Sequence, residues 1–314
     1  MGPGGAGPHP TSPMAATRER GSPGEAGLAR RLSAALFRRP RVRLGLTLGP
    51  TAVWMVVVYL TSLALMLVTA FWRLNELSSK IERIWGFQNF QTLWHGEVYR
   101  TIALRTAGMA AAVTITDLAL AFPIAYFAAR IATPRQRSAI LLAVVMPLWS
   151  NYLVRIFAWR TITAGNGPLQ ALLGVIGIHR SISASNWAVW LTFCYLWLPF
   201  AILPLFAAIE RLPGSLMEAS SDLGARNGMT FRRIVLPLIL PGLVAASIFT
   251  FSLTLGDYIT PVLVGKAFFI GNTIYNLVGL ASNLPLAAAF ALVPIAIMAA
   301  YLLIARKLGA FEAL

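Results

Sequence analysis

The chain has 314 residues, of which 57% are hydrophobic and 12% are charged, and its mean hydropathy is +0.70. Because soluble domains carry about 25% charged residues, this composition excludes an ordinary soluble protein and indicates an integral membrane protein. The net charge of +15 is compatible with nucleic-acid binding, but the positions of the arginines given below explain the excess differently. Cys194 is the single cysteine, which excludes an intrachain disulfide and a cysteine-based metal cluster.

Six apolar runs of about 20 residues, the length that crosses a bilayer, follow a polar N-terminal segment. Residues 1–45 are rich in Gly, Pro, Ser and Arg, and we predict a disordered basic tail there. The rest divides into a first transmembrane helix (46–72), an extracytoplasmic segment (73–106), a helical core (107–306) and a C-terminus (307–314). We therefore predict an all-α polytopic membrane protein with six transmembrane helices, at Leu48–Phe71, Ala107–Ala129, Ala139–Ala158, Ala188–Ile209, Leu238–Gly256 and Leu286–Ala305.

The distribution of Lys and Arg sets the predicted orientation, since short cytoplasmic loops are enriched in both residues. If the N-terminus is cytoplasmic, then the basic tail, the segment 130–137, the loop 210–237 and the C-terminus all lie inside, and together they hold most of the basic residues. We therefore predict that both termini are cytoplasmic. The positive charge then reflects topology, and a nucleic-acid partner is not expected.

The cytoplasmic loop between the fourth and fifth spans carries several helix-boundary signals. Ser215 and Glu218 have the S-x-x-E spacing of a capping box, which predicts the start of a short helix. Gly224 offers a helix stop, because glycine permits a left-handed backbone. A second short helix is predicted from Thr230 up to the fifth apolar run. Two short helices at a membrane surface would form a contact area for another protein.

The same loop resembles the EAA motif of the permease subunits of ABC importers: E-A-A, three residues, G, nine residues, I-x-L-P. Here Glu218-Ala219-Ser220 precedes Gly224, and Ile234-Val235-Leu236-Pro237 follows nine residues later, so that Ser220 alone departs from the pattern. The resemblance implies that loop 210–237 docks as a coupling helix into a groove on a cytoplasmic ATPase. The implied coupling residues are Leu216, Glu218, Ala219, Ser220, Leu223, Gly224, Ile234, Leu236 and Pro237. The alternative is an ordinary amphipathic helix at the membrane surface.

Two further segments are similar to the spermidine/putrescine-type permeases of this family. They are Pro147–Trp159, and Gly256–Gly265 with Ile270–Asn272 after it. The similarity covers roughly spans two to six and implies a polyamine as the solute. Lys266 stands where the family usually has a glycine, and its charge near the outer mouth leaves room for an anionic or zwitterionic solute.

The resemblance implies an importer in the bacterial inner membrane, with a second permease subunit that is expected to be a paralogue, a cytoplasmic dimer of ABC ATPases and an extracytoplasmic solute-binding protein. The chain lacks the G-x-x-x-x-G-K-[ST] phosphate loop, so we expect no catalytic residue in it, and ATP and Mg²⁺ on the partner ATPase rather than a cofactor of its own. Its scattered histidines predict no metal site. One alternative is an importer for another small solute, such as a phosphonate, an amino acid or an opine-like compound. The other is a channel or secondary transporter without an ATPase.

Polar and aromatic residues inside the predicted spans are candidates for the translocation path. Asp117 lies in the middle of the second span, and Asp257 lies at the outer end of the fifth. Either these carboxylates attract a cation along the path, or they pair with Arg105, Arg155 or backbone groups for structure. The candidates for the path are Asp117, Trp149, Asn151, Tyr152, Arg155, Asp257 and Tyr258.

Overall fold

The computed structural model describes residues 40–75, 78–177 and 181–307. The predicted basic tail up to residue 39 and the predicted C-terminus from residue 308 lie outside the described residues. The chain divides into two compact units, one ending at Ala64 and one beginning at Leu65. Helix α1, Pro40–Thr69, begins before the predicted start of the first span at residue 46.

In the described ranges, the remaining elements are helices, apart from one pair of short strands. Strands β1 (Arg73–Asn75) and β2 (Lys80–Glu82) pair antiparallel, with Arg73 opposite Glu82. The helices that follow are α2 (Gln88–His95), α3 (Glu97–Tyr126), α4 (Pro134–Val145), α5 (Tyr152–Ile162), α6 (Pro168–Val175), α7 (Asn186–Glu210), α8 (Gly214–Asp222), α9 (Asn227–Thr230), α10 (Leu236–Gly256), α11 (Ile259–Val264), α12 (Ile270–Gly279) and α13 (Leu284–Lys307). A π turn, Phe127–Ile131, extends α3, and a second π turn, Phe231–Val235, joins α9 to α10.

Five helices in the described part of the chain are long and apolar enough to cross a membrane. They contain the second, fourth, fifth and sixth predicted spans and match the first up to Thr69, two residues before its predicted end, which confirms the all-α polytopic architecture. The five are Leu48–Thr69, Glu97–Ile131, Asn186–Glu210, Gly228–Gly256 and Leu284–Lys307.

The third predicted span is not one straight helix. It consists of Pro134–Trp149 and Tyr152–Ile162, which meet at an angle of 98°, so the chain has six spans only if this bent pair counts as one. The first helix of the pair ends in a more tightly wound 3₁₀ turn, Met146–Trp149. Asn151 then starts a new helix, because its side chain accepts a hydrogen bond from the N–H of Leu153 at 2.8 Å.

Helices α3, α7 and α10 pack together at the centre of the second unit. Near the C-terminal end of α7, Leu205 and Ile239 are fully buried in one apolar cluster. Near its N-terminal end, Phe193 and Phe269 are buried in another. The polar loop 210–237 connects α7 to α10, so two central helices hold it at both of its ends.

Candidate functional site

Helix α8 ends in a Schellman motif at Gly224. The backbone of Gly224 is left-handed, with φ at +71°. The N–H of Gly224 bonds the carbonyl of Ser221 at 2.9 Å, and the N–H of Ala225 bonds the carbonyl of Ser220 at 3.0 Å. These two bonds satisfy carbonyls that the end of a helix otherwise leaves free. The predicted helix stop and left-handed turn at Gly224 are confirmed.

The start of α8 differs from the prediction. The helix begins at Gly214, with Pro213 as its N-cap. Ser215 is therefore the second helical residue rather than the cap, and the predicted capping box between Ser215 and Glu218 is wrong. Pro213 explains the difference, because its fixed φ turns the chain into the helix although its ring cannot accept a hydrogen bond.

The predicted second helix of the loop is the beginning of the fifth span. Helix α9, the π turn and α10 form one apolar helix from Gly228 to Gly256. The predicted end at Leu236-Pro237 is therefore wrong. In the π turn the N–H of Leu236 bonds the carbonyl of Phe231, five residues back. This wider turn leaves space for the ring of Pro237, which has no N–H to donate to the preceding turn.

A groove of about 710 Å³ lies between α8 and the start of the fifth span. The hydroxyls of Ser220 and Thr230 bridge the two sides at 2.7 Å. Ser220 is the position that departs from E-A-A, and an alanine there could not make this bridge. Leu223, at the edge of the groove, is 88% exposed. Of the predicted coupling residues, Leu216, Ala219, Ser220, Leu223, Gly224 and Ile234 line the groove, Glu218 is exposed outside it, and Leu236 and Pro237 begin α10.

Asp257 is the centre of a hydrogen-bonded cluster at the start of α11. Its carboxylate accepts bonds from the Tyr152 hydroxyl, from the N–H of Ile259 at 2.8 Å, and from the N–H and hydroxyl of Thr260 at 3.2 and 2.7 Å. Tyr152 also stacks on Trp197, with ring centroids 6.1 Å apart. These contacts join α5 to α11, and each oxygen of the Asp257 carboxylate accepts two hydrogen bonds. They favour the structural alternative for Asp257 in this conformation.

Asp117, the mid-span carboxylate of α3, is completely buried. Neither of its oxygens has a hydrogen-bond partner of normal geometry among the described residues. It faces the thiol of Cys194 on α7, which is a weak donor. The two arginines considered as its partners lie elsewhere: Arg105 donates to a backbone carbonyl 3.1 Å away, and Arg155 lies over the Tyr152 ring at 5.9 Å.

The other path candidates lie near the Asp257 cluster or on the surface. Trp149 is 79% exposed, and Asn151 caps α5. Tyr258 is exposed and stacks on Tyr275, with ring centroids 5.4 Å apart. No hydrogen bond or ion pair of the described residues joins Asp117 to this group, so the candidates do not form one polar site here.

Known proteins with similar sequences identify the class. The chain is 41% identical over 308 residues to the inner membrane ABC transporter permease protein YdcU of Escherichia coli, a match that covers 93% of this chain and 98% of YdcU. It is 32% identical over 207 residues to PotB of Haemophilus influenzae, a spermidine/putrescine transport system permease protein, covering 64% of this chain and 72% of PotB. The chain belongs to the ABC transporter permease family. No family model matches it.

Solved structures show the same fold. The chain matches a bacterial ABC transporter involved in the import of the acidic polysaccharide alginate, with a TM-score of 0.64 and 20% identity, over 88% of this chain and 99% of the other. A second alginate transporter structure, in complex with an alginate pentasaccharide-bound periplasmic protein, matches with a TM-score of 0.68 and 18% identity, over 88% and 96%. Together with the sequence relatives, these matches identify a permease subunit of an ABC importer and a multi-pass membrane protein.

Several contacts around the coupling loop were not predicted. From the sequence, Arg130 and Arg137 indicate only the orientation of the chain, and Glu210 and the hydroxyl of Thr230 have no predicted role. In the structure, Arg130 bonds a backbone carbonyl, Arg137 pairs with Glu210, and Thr230 bonds Ser220. No spacing in the sequence points to these contacts, because each joins residues that are far apart along the chain or lie on opposite sides of a turn.

Proposed function

We propose that this permease moves a polyamine such as spermidine or putrescine inward by ATP-driven alternating access. The support is the identity of about a third to the PotB permeases, which extends over most of their length. YdcU is more similar to this chain, and its name specifies no solute. Tyr258, which follows Asp257 in the chain and is exposed, supplies an aromatic ring beside it, and such rings attract organic ammonium groups.

The single observation that carries the coupling role is the exposed helix α8 with its groove. A short helix stopped by a Schellman motif and bridged by Ser220–Thr230 is a stiff projection, suited to inserting into a cleft of a partner. We assign that cleft to a cytoplasmic dimer of ABC ATPases, which binds ATP and Mg²⁺ and carries out hydrolysis. This chain then has no catalytic residue and no cofactor of its own.

The transport cycle follows from that assignment. ATP binding closes the ATPases and pulls α8, and this chain and a second, paralogous permease switch between inward-facing and outward-facing states. Nucleotide drives the switch because it binds the two states with different free energies. An extracytoplasmic solute-binding protein delivers the solute, and both termini lie on the cytoplasmic side of the inner membrane. The periplasmic protein bound to the alginate transporter is a precedent for such delivery.

A different solute in the same importer class is favoured by one observation. Lys266 is exposed in the short segment between α11 and α12, where a positive charge would repel a polyamine and attract an anion. A phosphonate, an amino acid or an opine-like compound is therefore the second candidate.

The solute is tested on the cognate solute-binding protein, by calorimetry with spermidine, putrescine, a phosphonate and a panel of amino acids. We expect micromolar or tighter binding of a polyamine and none of the others. Binding of an anion alone would refute the polyamine proposal and favour a role for Lys266. Lys266→Gly distinguishes the two in the assembled transporter, because it should raise polyamine uptake and lower anion uptake.

A further inference from the structure

Two arginines of the α3–α4 turn, by which we mean residues 127–137 from the π turn through the first turn of α4, hold the chain just before α8. Arg130, on the π turn, donates to the carbonyl of Leu212. Arg137, in α4, forms an ion pair with Glu210 and lies over the ring of Phe206 at 4.8 Å. The contacts are separated by 82 and 73 residues along the sequence, so they are tertiary links and not local capping.

The two held positions leave little freedom between them and α8. Glu210 is the last residue of α7, Leu212 is buried, and α8 begins at Gly214. On the opposite side, Thr133 and Gln136 form a capping box that starts α4, in which the N–H of Thr133 donates to the side-chain Oε1 of Gln136 at 2.9 Å. The two arginines therefore belong to a turn that is itself fixed.

From this geometry we propose that Arg130 and Arg137 are positioning residues for coupling, which make the α3–α4 turn move together with α8. A displacement of α8 must then carry the ends of α3 and α4, or else break both contacts. This link gives the ATPase a connection to α3, which contains Asp117, and to the bent third span, in addition to the covalent connections through α7 and α10. The inference rests on the proposed docking of the ATPase at α8.

The functional test uses charge exchange in the complete transporter, reconstituted in liposomes with its ATPase, second permease and binding protein. Spermidine uptake and ATP hydrolysis are measured in parallel for Arg137→Glu, Glu210→Arg and the double exchange. The side chains of Arg137 and Glu210 are 37% and 42% exposed. The loss of an ion pair so accessible to water changes an equilibrium constant by a factor of up to about five. We therefore expect each single exchange to lower the uptake per ATP hydrolysed by up to about fivefold. The double exchange restores the pair and most of the coupling.

The matched control is Arg135→Glu. Arg135 is exposed on the same turn of α4 and makes no ion pair with the described residues, yet the variant changes the charge of the loop by the same amount. It should couple as the wild type does. If Arg135→Glu is as impaired as Arg137→Glu, or if the double exchange fails to recover, then topology or general charge explains the loss and the proposal is wrong.

A distance measurement tests the movement without depending on the solute. Spin labels are placed on Ser138 of α4 and Ser215 of α8, both exposed, while the buried Cys194 stays as an unlabelled background. We expect one Ser138–Ser215 distance in nucleotide-free and vanadate-trapped transporters, and a change between these states in Arg137→Glu. A change already in the wild type would overturn the linked movement while leaving the proposed function intact. Failure of the ATPase to bind the permease pair would overturn the proposed function, and this inference with it.

Discussion

Replacement of Gly224 by alanine tests the coupling loop by backbone conformation alone. The φ of +71° is unfavourable for a residue with a Cβ, whereas a Cβ built there meets no described atom within 4 Å. The cost is therefore conformational and not steric, at about 1–2 kcal/mol for alanine in the left-handed region. An energy of this size lowers the population of the native turn relative to alternatives by a factor of about 5–30.

Two comparison variants make the test specific. Gly224→Asn adds a larger side chain but tolerates the left-handed region, so it should retain more function than Gly224→Ala. Gly228→Ala lies in the helical start of the fifth span, where a Cβ also has space among the described residues. Alanine is favoured over glycine by about 1 kcal/mol in a helix interior, so at this second helical position the replacement should be neutral or slightly stabilising.

The assay combines ATP-driven uptake in liposomes with copurification of the ATPase on the permease pair. We expect Gly224→Ala to lose ATPase binding and uptake by several-fold, Gly224→Asn to lose less, and Gly228→Ala to match the wild type. Equal activity of Gly224→Ala and Gly228→Ala would show that the Schellman turn does not matter for docking. The reasoning would be equally refuted if asparagine were as harmful as alanine.

Two further predictions concern packing and the loop bridge. A Cβ on Gly242 would clash with the side chain of Ala208 where α10 crosses α7. Overpacking of this kind costs about 1–3 kcal/mol of folding free energy, so Gly242→Ala should lower the midpoint of thermal unfolding in detergent. Gly108 has open space among the described residues, so Gly108→Ala should leave the midpoint unchanged. Ser220→Ala removes the hydrogen bond to Thr230. Loss of one hydrogen bond changes an equilibrium constant by a factor of about 2–10, so copurification of the ATPase should weaken by about that factor. Unchanged copurification would show that the Ser220–Thr230 bond does not contribute to docking.

The spans and the coupling motif could be predicted because each depends on local sequence. A run of about 20 apolar residues suffices for a membrane helix wherever it packs, and Gly224 could be assigned to the turn because few other residues accept a left-handed backbone there. The bend at Asn151 was harder to predict, since the apolar run continues on both sides of it. An asparagine cap and a preceding 3₁₀ turn are weak signals beside that hydropathy.

The errors in the loop have a common cause. The S-x-x-E spacing at Ser215 and the Leu-Pro step at Pro237 both indicate helix boundaries in isolation. In the fold, Pro213 starts the helix first, and a π turn carries the chain past Pro237 into α10. Packing of α10 against α7 and α3 stabilises that continuous helix, and a pattern limited to a few residues contains no information on such packing.

Among the path candidates, Asp117 and Asp257 should differ in how replacement by asparagine changes the thermal stability of the protein. Asp257 accepts four hydrogen bonds, so Asp257→Asn places an amide NH₂ opposite donors and should lower the midpoint of thermal unfolding. Asp117 is buried without a normal partner among the described residues, where an ionised carboxylate would be costly and a neutral side chain is preferred, so Asp117→Asn should not lower the midpoint. If the Asp117 carboxyl group contacts the solute on the path, spermidine uptake should fall in the Asp117→Asn transporter although its fold is kept. Unchanged uptake in that variant would exclude Asp117 from the path, and a lowered midpoint would show that its carboxylate is stabilised in a way that the described contacts do not contain.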